Sequence, residues 1–175
     1  SFLVDDEGIV IAENPDQKNL PQVLDQVAEG VVVGEVLPNP KMVAFILSGF
    51  SVTADEPIRY VALGDSYTIG TGIHSNQSWP QFLIYRAAHV QELKALELVA
   101  NLARNGSTTR ELIDHQLPVC IALHPNMVTL LIGVNDWIQG VDAETFTKNY
   151  SLIIEHLLKI LPDHKKLILL TIPDF

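Results

Sequence analysis

Serine carried by a strand to a tight turn is the arrangement nucleophilic catalysis requires, and this chain has one at Ser66. Arg59 to Leu63 is short, rich in Val, Leu and Tyr, and bounded by Pro57 and Gly64, so it reads as a buried strand. Gly64 lets the backbone turn. Asp65 and Ser66 are helix-starting residues, which places the hydroxyl and amide of Ser66 where strand passes into helix. In an open parallel sheet that is the carboxyl edge, where ligands bind. An isolated Gly-Asp-Ser is also ordinary capping chemistry. Two further blocks shift the weight towards chemistry: NLARNGSTT (Asn101 to Thr109) and LLIGVND (Leu130 to Asp136) are again apolar runs that end in glycine and small polar residues. Three strand ends then point Ser66, Gly106 and Asn135 towards one place.

With these blocks in hand, the chain resembles the SGNH, or GDSL-type, esterases and acylhydrolases. The resemblance runs from Arg59 to Phe175, roughly two thirds of the chain, and rests on GDSYTIGTG, the RNGSTT turn, GVND and the late run LLTIPDF in that order. It implies that Ser66 is the nucleophile, and that the Ser66 amide, the Gly106 amide and the Asn135 side-chain amide form an oxyanion hole. The chemistry stands beside the likeness. Attack on an ester carbonyl puts negative charge on its oxygen, and fixed N–H donors aimed there typically supply a few kcal/mol each. Glycine suits such a donor because no Cβ blocks close approach.

In that family the base and its orienting acid come as an Asp-x-x-His block after a fifth strand, and no such block occurs here. None of His74, His89, His115, His124, His156 and His164 has an aspartate three residues before it. His124, in His-Pro-Asn, resembles the family's closing motif, yet it precedes the run Met127 to Ile132 and belongs at the amino edge, opposite Ser66. His89, His115 and His156 fall in helical patterns, and His74 lies in a loop near the site mouth. The base is therefore expected outside these 175 residues, on a missing C-terminal segment or a second chain, with the chain alone nearly inactive.

Asp65 adjoins Ser66 on the same turn, so its expected role is to hold that turn through backbone amides. Asp136 is expected to brace the Asn135 loop, and Asn101 to pin its own. Trp137 and Ile138 read equally as an apolar wall for an acyl chain or as core. Arg104 puts a cation near the site, as a solvated side chain or as a partner for an anionic substrate group.

The elements that must position these residues alternate. After the Ser66 strand come a helix from Ser78 to about Leu93 with Pro80 in its first turn, a strand Leu96 to Ala100, a helix Thr108 to Leu117 and a strand Met127 to Ile132. A long helix, Ala143 to Leu161, carries an apolar stripe and stops at Pro162, before a strand Leu167 to Ile172. Such alternation implies an α/β fold, a three-layer α/β/α arrangement around a parallel sheet. The resemblance makes it flavodoxin-like with order 2-1-3-4-5, the fifth, C-terminal strand being absent from this chain.

Residues 58–175 form the expected hydrolase domain, and residues 1–57 an acidic accessory segment of undefined role. The first 57 residues hold ten acids against two lysines, and the remainder eleven acids against nine Lys or Arg. No basic footprint for nucleic acid exists in either part. Residues 2 to 4 and 8 to 11 read as pairing strands, Asn19 to Glu29 as an amphipathic helix, and Val31 to Val36 as a strand. Lys41 to Ala54 reads as a buried strand or the relic of a targeting signal, too short to span a bilayer of about 20 apolar residues. The compartment stays open. Cys120, the single cysteine, sits in an apolar stretch and reads as a buried, inert thiol. No metal-ligand spacing occurs, and no cofactor is expected. The expected function is hydrolysis of a small-molecule carboxylic ester through an acyl-enzyme, with an O-acyltransferase or an inactive binding relative as alternatives. Thr68 stands where an α/β-hydrolase elbow needs its last glycine, which excludes that class.

Overall fold

The structure is a computed structural model that describes residues 2–4, 10–12, 32–35, 57–89 and 95–171. Its first strands, β1 (Phe2–Val4) and β2 (Val10–Ala12), pair antiparallel as a separate two-stranded sheet. The main sheet is built from β3 (Val32–Glu35), β4 (Ile58–Gly64), β5 (Leu96–Asn101), β6 (Met127–Leu131) and β7 (Leu167–Thr171), in the order β3-β7-β6-β4-β5, and every pairing is parallel. The run β5-β4-β6-β7 matches the expected 2-1-3-4 order. The edge beyond β7, for which the sequence reading leaves no strand, carries β3 in register from Val32 beside Ile168 to Glu35 beside Thr171. Pairing there satisfies the outward N–H and C=O groups of β7, which an open edge leaves bare. The expected helix at Asn19 to Glu29 and the run Lys41 to Ala54 lie outside the described residues.

Strand side chains alternate between faces, and each face has its own core. Ile58, Tyr60 and Ala62 of β4 join Met127, Leu131, Ile168 and Leu170 on one face. Helix α2 (Trp79–Ala87) covers them through Leu83 and Ala87. Val61, Leu63, Val128, Leu130, Leu167 and Leu169 form the other face. It is covered by a helical stretch and by a long helix. The stretch consists of α3 (Thr109–Glu111), a π-helical turn (Leu112–Gln116) and α4 (Leu117–Ala122). Two short helices, α1 (Ser66–Ile69) and α5 (Val134–Ile138), follow the central strands, and the long helix is α6 (Ala143–Ile160). Ile153, Ile154 and Leu157 are its buried stripe, and Leu161 turns extended just before Pro162.

Three boundaries depart from expectation. Helix α2 ends near Ala87, where the His89 ring nitrogen bonds the Tyr85 carbonyl at 2.8 Å and so caps the last turn. The helical stretch after RNGSTT runs on past Leu117 to Ala122 by way of the π turn. Ser78 precedes α2 but turns its hydroxyl back to the Ser75 carbonyl at 2.9 Å, away from the helix it was expected to cap. Within the sheet, the Tyr60 and Thr129 hydroxyls meet at 2.8 Å in full burial, a polar pair between two central strands.

Candidate active site

The central strands deliver the site. β4 and β6 are neighbours whose last paired residues are Gly64 and Leu131, so the loops that follow start side by side. At Gly64 a Cβ would fall on the Leu131 carbonyl oxygen and on Thr68 Oγ1, so only glycine lets the strand end pass this close. Asp65 then caps α1, its Oδ1 accepting the Tyr67 amide at 3.0 Å, and Ser66 is the first helical residue. The turn closes at Gly70, which is left-handed with φ 80°.

The second block is stitched onto this turn. Leu102 and Arg104 donate their amides to the carbonyls of Ala62 and Gly64, at 2.9 and 3.2 Å. Asn101 accepts the Ala103 amide at 3.3 Å and donates to the Thr68 carbonyl at 2.9 Å, so it pins its own loop and α1 together. Gly106 has φ 78°, and the space a Cβ would take there is open. Its glycine is set by conformation rather than by crowding from the chain.

The third block docks on the second. Gly133, with φ 131°, turns the chain out of β6, and α5 begins at Val134. Asn135 Nδ2 donates to the Ser107 carbonyl at 2.9 Å. Asp136, expected to brace the Asn135 loop, ties it to the second block: one carboxylate oxygen accepts the Thr109 amide at 2.9 Å and the other the Thr109 hydroxyl. Asn149 of α6 adds a bond to that hydroxyl at 3.2 Å. The structure thus brings the blocks of Ser66, Gly106 and Asn135 to one edge of the sheet.

Sequence reasoning missed Gln116. It is buried, and its amide bonds both the N–H and the C=O of Gly64 and the Ser107 hydroxyl. Helical periodicity alone gives no sign of this, because the π turn changes the face on which residue 116 emerges.

Asp65 is fully buried with Oδ2 lacking a hydrogen-bond partner, and burial pushes its carboxyl up to about 6, against the pull of the Tyr67 amide; Asp136 nearby adds to the rise. Trp137 and Ile138 are 79% and 67% exposed, so they are surface groups and the core alternative is overturned. On this helix it is Asp136 that faces inward. Arg104 is exposed beside the Gly64 loop.

His124 lies at the far edge. The Leu123 and His124 carbonyls accept from the Arg59 guanidinium at 2.9 and 3.5 Å, near the start of β4, while Ser66 follows its end. The rings of His89 and His156 bond carbonyls of their own helices. Among the described residues no hydrogen bond joins a histidine ring to Ser66, and no cluster of three or more His, Cys, Asp or Glu could hold a metal ion.

Residues 62–175, about two thirds of the chain, match the family model described as GDSL-like lipase/acylhydrolase. The chain belongs to the GDSL-like lipase/acylhydrolase family. As a GDSL-like fold it is similar to AlinE4, an SGNH-hydrolase family esterase, at 24% identity and TM-score 0.54, over 67% of this chain and 60% of AlinE4. It is similar to TesA at 22% identity and TM-score 0.52, over 64% and 58% of the two chains. A catalytic mutant of Axe2, an acetylxylan esterase from Geobacillus stearothermophilus, aligns at 17% identity and TM-score 0.55, over 70% and 62%. At these identities the likeness shows the fold, and this GDSL-like chain spans about three fifths of the length of the structures it matches. No curated protein matches the sequence. Among the described residues, no helix is long and apolar enough to cross a membrane.

Proposed function

We propose that this GDSL-like protein hydrolyses small-molecule carboxylic esters through an acyl-enzyme on Ser66. The observation that carries the reading is the hydrogen-bonded link between the loops after β4 and β6. Gln116 ties Gly64 to Ser107, and Ser107 accepts from Asn135. In this reading Ser66 Oγ attacks the ester carbonyl carbon while its proton passes to a histidine from outside residues 1–175. The oxygen that gains charge is met by the amides of Ser66 and Gly106 and by Asn135 Nδ2. Collapse expels the alcohol with the proton returned to it. Water, activated by the same histidine, then releases the acid and frees the serine. No cofactor takes part.

The test is Ser66→Ala in the full-length protein, assayed on a short-chain aryl ester, with mass spectrometry of the wild type for an acyl group on Ser66. Turnover should fall to background in the variant, and the acyl adduct should appear in the wild type. Wild-type turnover in Ser66→Ala rejects the reading. An adduct that passes to an added alcohol but not to water identifies an O-acyltransferase, and no adduct with any ester a binding relative.

A further inference from the structure

Gln116 is 1% exposed, and its side chain bonds no water-facing group. Nε2 donates to the Gly64 carbonyl at 2.8 Å and to Ser107 Oγ at 3.2 Å, while Oε1 accepts the Gly64 amide at 3.0 Å. The orientation of the amide follows from the Gly64 N–H, which only Oε1 can accept. Gln116 therefore pairs with Gly64 as a neighbouring strand residue does, at the point where β4 leaves its ladder and turns to Ser66. It reaches both the Ser66 block and Ser107, whose carbonyl accepts from Asn135.

The helix presents this side chain because of Pro118. Proline has no N–H to donate to the Asp114 carbonyl and its ring crowds that group, so the turn before it widens. The Leu117 amide bonds back to the Leu112 carbonyl, a π-type bond, and residue 116 is directed inward.

We infer that Gln116 is a positioning residue for the nucleophile loop: its amide fixes the Gly64 peptides, and through them the Ser66 amide and hydroxyl, against the Gly106 and Asn135 loops. This rests on the reading of Ser66 as nucleophile. Displacement of a reacting group by an ångström costs on the order of 100-fold in rate, so loss of the clamp acts on kcat before it acts on substrate binding.

Two variants of the full-length protein test it. Gln116→Met keeps the volume and removes both side-chain bonds to Gly64, leaving only the Arg104 amide on its carbonyl; it should fold, and lower kcat by about 10- to 100-fold with KM little changed. Gln116→Glu offers two acceptors when ionised and one acceptor with one donor when protonated. Its kcat relative to wild type should rise as pH falls, while unclamped Gln116→Met shows no such recovery. A folded Gln116→Met with wild-type kcat overturns the inference. So does a constant Gln116→Glu to wild-type ratio across pH, which also decides the matter if Gln116→Met does not fold. Both controls run beside Ser66→Ala: turnover surviving in that variant rejects the underlying reading, whereas turnover lost there but unchanged at residue 116 rejects only the clamp.

Discussion

Asn135 and Ser107 join two loops that are 28 residues apart by a single 2.9 Å bond from Nδ2 to a carbonyl oxygen. The bond takes one of the two amide protons of Asn135 and orients the group, so the second proton is held in a fixed direction.

With Asn135 as the oxyanion donor proposed above, Asn135→Ala should lower turnover by roughly 100- to 1,000-fold, the usual loss for one such donor. Asn135 is half-buried and its bond is neutral, so unfolding in urea should shift by no more than about 1.5 kcal/mol. Steady-state kinetics beside a urea titration separates the two, and an unchanged rate removes Asn135 from the hole.

Two glycines of the site should respond differently to alanine. At Gly64 the added methyl meets the Leu131 carbonyl and Thr68, backbone and buried side chain that cannot step aside, and the loss should exceed about 3 kcal/mol or prevent folding. At Gly106 the methyl enters open space, and the cost is that of a left-handed residue, about 1–2 kcal/mol. Denaturant midpoints of the two variants, measured together, check the order.

The Asp65 carboxyl carries a pH signature. Its value rises from 3.8 to about 6 in the folded protein, chiefly through burial, so the folded state holds the proton more tightly than the unfolded one. The resulting stabilisation is complete below about pH 4 and is lost as pH rises through about 6, by up to roughly 3 kcal/mol at about 1.4 kcal/mol per unit. Asp65→Asn keeps an acceptor for the Tyr67 amide and does not titrate. Stability of wild type relative to Asp65→Asn should fall between pH 4 and pH 7, and a flat difference contradicts the burial argument.

What was legible in the sequence was local. Apolar runs of five or six residues ending in glycine marked β4 and β6, and a run ending at Asn101 marked β5, because a buried strand and a turn residue leave a mark within ten positions. Alternation with helices implied a parallel sheet, and the order of its strands came from the family resemblance. What escaped depended on partners far along the chain. The partner of Asp136 is Thr109, 27 residues away, and Gln116 reaches Gly64 across 52 residues. β3 finds its partner at β7, more than a hundred residues away. Trp137 and Ile138 sit on a helix too short for periodicity to assign a face.

The buried Tyr60–Thr129 hydroxyl pair lies between β4 and β6, upstream of the loops of Ser66 and Asn135. A shift of β4 along β6 by one position would separate the two hydroxyls inside hydrocarbon, each then bereft of any mate, and would carry Ser66 one step away from the loop of Asn135. An interior hydroxyl pair thus favours one alignment of the two strands over its neighbours.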